Sequence, residues 1–71
     1  MPLVQISMLT GRTAEQKRAL LRDVTDAVVR NCKVAPEQVR VLIAEIAPEH
    51  WAVAGVSRAE SDAKKKQGGR A

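Results

Sequence analysis

The run Val39-Arg40-Val41-Leu42-Ile43-Ala44-Glu45-Ile46 most constrains what this chain can fold into. It is apolar at nearly every position, where a strand with one wet face would alternate, so it expects cover on both sides. The whole chain has 71 residues, enough for one small domain, and a domain of that size buries only about 60% of its unfolded surface. Cys32 is the single cysteine and forms no internal bridge. His50, Cys32, Asp23 and Asp26 lack the spacing of a structural metal site, which needs four ligands, so no metal is expected. Trp51 is the one aromatic residue, which leaves an aliphatic and thin core. Association between copies is the remaining source of cover.

The segments before this run are equally legible. Leu3-Val4-Gln5-Ile6-Ser7-Met8-Leu9 alternates as a strand should, with Val4, Ile6 and Met8 on the same face as Pro2. Gly11-Arg12 ends it, and Thr13-Ala14-Glu15-Gln16 has the form of a capping box that opens a helix. Leu20, Leu21, Val24, Ala27 and Val28 then recur at helical spacing, with Lys17, Arg18, Arg22, Asp23 and Arg30 largely off that stripe. The pattern fades at residues 31–33, where Cys32 reads as a small apolar filler, and Pro36 marks a restart or a short turn. Strand, helix, strand is a βαβ crossover, so the expected fold is α/β (α+β) with parallel strands and a right-handed connection. One helix covers one face of such a sheet; a second subunit must cover the other.

Residues 1–57 carry seven basic and six acidic side chains, whereas residues 58–71 carry five and two. The net charge of +4 therefore resides mostly in a polar segment that ends Lys64-Lys65-Lys66-Gln67-Gly68-Gly69-Arg70-Ala71. Its composition suggests a flexible basic tail after a domain spanning residues 1–57. No aromatic residues are interleaved with its lysines to stack on bases, so nucleic acid is not expected as a partner. No signal peptide and no apolar run of ~18 residues is visible; a cytoplasmic protein that does not engage membranes is expected.

Pro2 follows Met1 directly. Removal of Met1 leaves proline with a free secondary amine, a base where an internal proline has none. A general base works best when its pKa lies near the working pH, and an α-amino group starts near 7.7–8.0. Desolvation among Val4, Ile6, Met8 and Leu42, with Arg12 and Arg40 as cationic neighbours, would disfavour the charged amine further. Each arginine is also a planar fork suited to a carboxylate or an enolate oxygen. Arg40 lies within an apolar strand and needs a partner; a structural ion pair with Glu45 is the alternative to a functional role.

Pro2-Leu3-Val4-Gln5-Ile6, Leu9-Thr10-Gly11-Arg12-Thr13-Ala14-Glu15-Gln16-Lys17, Val39-Arg40-Val41-Leu42-Ile43-Ala44-Glu45 and His50-Trp51 together resemble the 4-oxalocrotonate tautomerase family in register over residues 2–57. The resemblance implies a βαβ subunit with a short C-terminal hairpin, assembled into dimers and then a homohexamer, a trimer of dimers, with active sites completed by neighbouring subunits. It implies cofactor-independent proton transfer that ketonises 2-hydroxymuconate or a similar small dienol or enol carboxylate. Pro2 is then the catalytic base, Arg40 polarises the carbonyl side, Arg12 holds a distal carboxylate and Trp51 lines the substrate pocket. Trp51 has a second candidate duty as an interface anchor. The family usually has phenylalanine there and a glycine-rich turn just beyond, where this chain has Ala52-Val53-Ala54-Gly55. Two alternatives remain: a hydratase- or dehalogenase-like activity, for which Glu45 and Glu49 are the carboxylates nearest the motif, and a noncatalytic subunit of a mixed hexamer. His50 is expected as an exposed polar side chain.

Overall fold

The parallel pair of strands is the spine of the molecule, and the computed structural model describes residues 1–68 around it. In chain order the elements are β1 (Leu3–Leu9), α1 (Ala14–Cys32), a 3-10 turn at Pro36–Gln38 and β2 (Arg40–Ile46). A second 3-10 turn at Pro48–His50 leads to β3 (Ala52–Val53), β4 (Val56–Ser57) and α2 (Arg58–Gly68). β1 and β2 are parallel and β3 and β4 antiparallel, which is the α+β architecture the sequence predicts, hairpin included.

The predicted capping box forms: the Gln16 amide donates to Thr13 Oγ1 at 3.1 Å and the Thr13 amide to Gln16 Oε1 at 2.9 Å. Leu20, Leu21, Val24, Ala27 and Val28 are all half-buried, as a helix with one apolar stripe requires. The helix closes on Lys33 in the left-handed region (φ 56°), whose amide donates to the Val29 carbonyl. Cys32 departs from expectation: it is exposed, because the stripe has already ended at Val29.

Register decides which residues share a face. Val4 pairs with Val41 and Ile6 with Ile43, and all four are half-buried beneath α1. Leu3 pairs with Arg40, Gln5 with Leu42 and Ser7 with Ala44 on the other face, where Leu3 is 55% and Leu42 51% exposed. Leu42 is thereby separated from Val4, Ile6 and Met8, the residues with which the sequence reading grouped it around Pro2. Val39, just ahead of β2, is the one buried apolar residue of the described chain, at 8% exposure. The Cα radius of gyration is 16.7 Å, against roughly 11 Å for a compact chain of this length. The accessible surface is 5510 Å², well above the roughly 4300 Å² of a compact monomer of this mass.

The segment expected as a flexible basic tail is helical over Arg58–Gly68; residues 69–71 of that segment lie outside the described residues. Composition outweighed a local signal here. Ser57-Arg58-Ala59-Glu60 is itself a capping box: the Ser57 amide donates to Glu60 Oε1 at 2.9 Å and the Glu60 amide to Ser57 Oγ at 3.1 Å. Arg58 and Asp62 add an ion pair one turn apart. Among the described residues no helix is long and apolar enough to cross a membrane.

Two predictions follow from these local geometries. Ala54 (φ 54°) and Gly55 (φ 82°) both occupy positive φ in the two-residue turn between β3 and β4, as a type I′ hairpin requires. A left-handed L-residue costs about 1–2 kcal/mol, partly offset by the unfolded-state entropy that glycine adds. Ala54→Gly should therefore stabilise the protein by about 0.5–1 kcal/mol, read from urea unfolding at fixed protein concentration. The Glu60 carboxyl is held below its ordinary value by the Ser57 backbone and hydroxyl donors and by Lys64. A depressed folded value means the stabilisation is complete above the unfolded value, about 4.3, and is lost as pH falls through the lower folded one. Helix content should fall on acidification through that window, and Glu60→Gln should remove this component of the pH dependence in far-UV circular dichroism.

Candidate functional site

Pro2 and Arg40 start the two strands side by side: the Arg40 amide donates to the Pro2 carbonyl at 3.0 Å. Pro2 is half-buried and, by alternation, belongs to the helix-covered face with Val4, while Arg40 pairs with Leu3 on the open face. The Arg40 guanidinium is exposed and folds back on the preceding turn, with Nη1 donating to the Glu37 carbonyl at 2.8 Å. That backbone acceptor is its partner. The alternative ion pair with Glu45 does not form, because the two residues sit at opposite ends of β2, and Glu45 instead pairs with Lys17 at 3.1 Å.

Arg12 and Trp51 are at the other end of the sheet. The Thr10 amide donates to the Ile46 carbonyl at 3.1 Å, so the turn that carries Arg12 leaves the sheet beside the end of β2. Arg12 is exposed and makes no hydrogen bond or ion pair among the described residues. Gly11 precedes it at φ 122°, a conformation that needs glycine although the space around its Cα is open. Trp51 is half-buried where the second 3-10 turn meets the hairpin, and its carbonyl accepts from the Arg58 amide at 2.6 Å. The seven residues of β1 lie between the two ends, a span of about 20 Å at the usual strand rise.

One chain thus presents two separated groups, Pro2 with Arg40 and Arg12 with Trp51. Both arginines are expected beside Pro2; within one chain the fold brings only the Arg40 backbone there. A depression of about 400 Å³ lies between them on the open face, lined by Gln5, Ile6, Ser7, Leu42, Ile43 and Ala44, and none of the four candidate residues borders it. His50 and Glu49 are exposed in the second 3-10 turn. No group of three or more His, Cys, Asp or Glu side chains suited to a metal occurs among the described residues.

Comparison with known proteins agrees with this fold. A family model described as "Tautomerase enzyme" matches residues 2–60. The 2-hydroxymuconate tautomerase of Comamonas testosteroni is 45% identical over 60 residues, covering 84% of this chain and 95% of that one. A structure from work on the 4-oxalocrotonate tautomerase isozymes of Methylibium petroleiphilum superposes with a TM-score of 0.84 at 48% identity, over 87% of this chain and 97% of the other. One from the heterohexamer 4-oxalocrotonate tautomerase of Chloroflexus aurantiacus gives 0.80 at 43% identity, over 84% and 97%.

Proposed function

Since the chain belongs to the tautomerase family, in its 4-oxalocrotonate tautomerase group, we propose that it ketonises 2-hydroxymuconate or a closely similar dienol carboxylate, with Pro2 as the base. The observation that carries this reading is that the family match opens at Pro2 and spans Arg12, Arg40 and Trp51. Met1 is removed, and the freed secondary amine takes the enol hydroxyl proton. The electron pair of that O–H bond forms the carbonyl, the diene electrons shift along the chain, and the protonated Pro2 amine gives its proton to a distal carbon, which returns the amine to its basic form. Substrate and product have the same atoms and oxidation level, so the reaction needs no redox co-reactant or group carrier. Arg40 stabilises the negative charge that develops on oxygen, Arg12 holds the far carboxylate, and Trp51 excludes water from the pocket.

Because the two groups lie at opposite ends of the sheet, a site that contains both draws them from different copies. Self-association supports the same reading from packing, since Leu3 and Leu42 are half-exposed on a face that α1 cannot reach. We assign a homohexamer, a trimer of dimers, as the assembly. The depression on the open face is then a subunit contact, and the substrate sits at the sheet ends. Glu45 is engaged by Lys17, which disfavours it as the water-activating carboxylate of a hydratase.

Pro2→Ala should lower kcat/KM by at least ~10²-fold, the usual contribution of a positioned general base, with the oligomer unchanged by sedimentation. Protein shown by intact mass to retain Met1 should be inactive, and full activity in that form would sink the proposal. The arginines should fail differently. Arg12→Ala should raise KM for the dicarboxylate, whereas Arg40→Ala should lower kcat. Pro2→Ala and Arg12→Ala subunits, unfolded together, reassembled at equal ratio and assayed at a dicarboxylate concentration well below the KM of Arg12→Ala, where each alone turns over little, should regain about a quarter of wild-type activity if each site takes one residue from each of two copies. No recovery on mixing would place both residues in one chain's site.

A further inference from the structure

Three ion pairs occur among the described residues, and they are not equivalent. Arg22 and Asp23 are sequence neighbours in highly exposed positions 3.9 Å apart, and Arg58 and Asp62 lie one turn apart on α2. Lys17–Glu45 alone joins two distant elements, the first turn of α1 to the end of β2, at 3.1 Å with side-chain exposures of 29% and 33%. Lys17 also departs from the solvated helix face on which its sequence spacing placed it, since it is half-buried.

Its surroundings say what the pair holds. The Lys17 amide donates to the Thr13 carbonyl at 3.1 Å, and the Thr10 amide donates to the Ile46 carbonyl at 3.1 Å. Followed around, Thr10, Ile46, Glu45, Lys17 and Thr13 form a closed ring of bonds, completed covalently through Gly11 and Arg12. Arg12 is the exposed side chain within that ring. Gly11, at φ 122° and with open space where a Cβ would stand, is the residue of this turn with the widest backbone freedom, so it is the point at which an external tie can set the direction of the turn.

We propose that Lys17 is a positioning residue: its ion pair with Glu45 closes the ring around the Thr10–Thr13 turn and fixes the direction in which Arg12 leaves the sheet. The inference rests on Arg12 acting as the carboxylate holder of the reading above. The pair acts through the turn backbone, so it bears on binding of the distal carboxylate and leaves the proton transfer at Pro2 alone.

The test compares 2-hydroxymuconate with 2-hydroxypenta-2,4-dienoate, the same dienol without a distal carboxylate, in wild type, Arg12→Ala, Lys17→Met, and the exchanged pair Lys17→Glu with Glu45→Lys. A half-exposed ion pair contributes up to about 1 kcal/mol, so Lys17→Met should raise KM for the dicarboxylate about three- to fivefold. Its kcat, its pH–rate profile and its KM for the monocarboxylate should match wild type, and the exchanged pair should recover most of the lost affinity. A lower thermal midpoint with no change in dicarboxylate KM would make the pair structural only and overturn the inference. Equal KM changes for both substrates would overturn it as well. If Arg12→Ala itself leaves dicarboxylate KM unchanged, the reading of Arg12 fails and this inference falls with it; a loss in Arg12→Ala without one in Lys17→Met removes the inference alone.

Discussion

Everything in this molecule depends on a two-stranded parallel ladder that a single helix must both connect and cover. Parallel strands cannot be joined by a tight turn, so α1 runs the length of the pair and buries Val4, Ile6, Val41 and Ile43. Having done so, it has no second face to offer. The opposite side of the ladder keeps Leu3 and Leu42 in water, and only Val39 of the described apolar residues is buried outright. A chain with so little interior of its own leaves apolar area that a second copy would remove from water, which is the physical argument for the proposed assembly.

The same ladder sets the distance between chemically distinct ends. Both strands run in one direction, so Pro2 and Arg40, at their starts, lie side by side at one end, and Arg12 and Trp51 each follow a strand finish at the other. An antiparallel pair would have put the start of one strand beside the finish of its neighbour and allowed a site within one chain. In the proposed assembly packing and chemistry are served together: the contact that covers the open face is also the means by which the two ends from different copies meet.

Local bonds then refine what the ladder positions. Arg40 satisfies its guanidinium on the Glu37 carbonyl, which keeps a charged side chain at a strand start without an acidic partner. Lys17 and Glu45 close the turn around Arg12 from the helix side. Ser57 and Glu60 cap α2 reciprocally, so a segment with little apolar character still forms a helix where the hairpin delivers it, at an amide bonded to the Trp51 carbonyl.

Much of this was legible in the chain itself, because the signals are short-range. Alternation marks β1, the Thr13–Gln16 box starts α1, and the doubly apolar run marks β2 and its need for outside cover. The Ser57–Glu60 box was legible too, but a polar composition read over 14 residues concealed a cap that acts over four. What sequence could not decide is whatever depends on register and on which end of the sheet a residue occupies. Leu42 joins the open face rather than the cluster of Val4, Ile6 and Met8, Glu45 meets Lys17 rather than Arg40, and Arg12 lies a strand's length from Pro2. A one-residue slip in pairing would exchange the two faces entirely, and no residue carries that information alone. Sequence by itself determined the elements and the kinds of chemistry their side chains can perform; tertiary structure decided which of those side chains one copy can bring together, because the parallel ladder separates strand starts from strand ends.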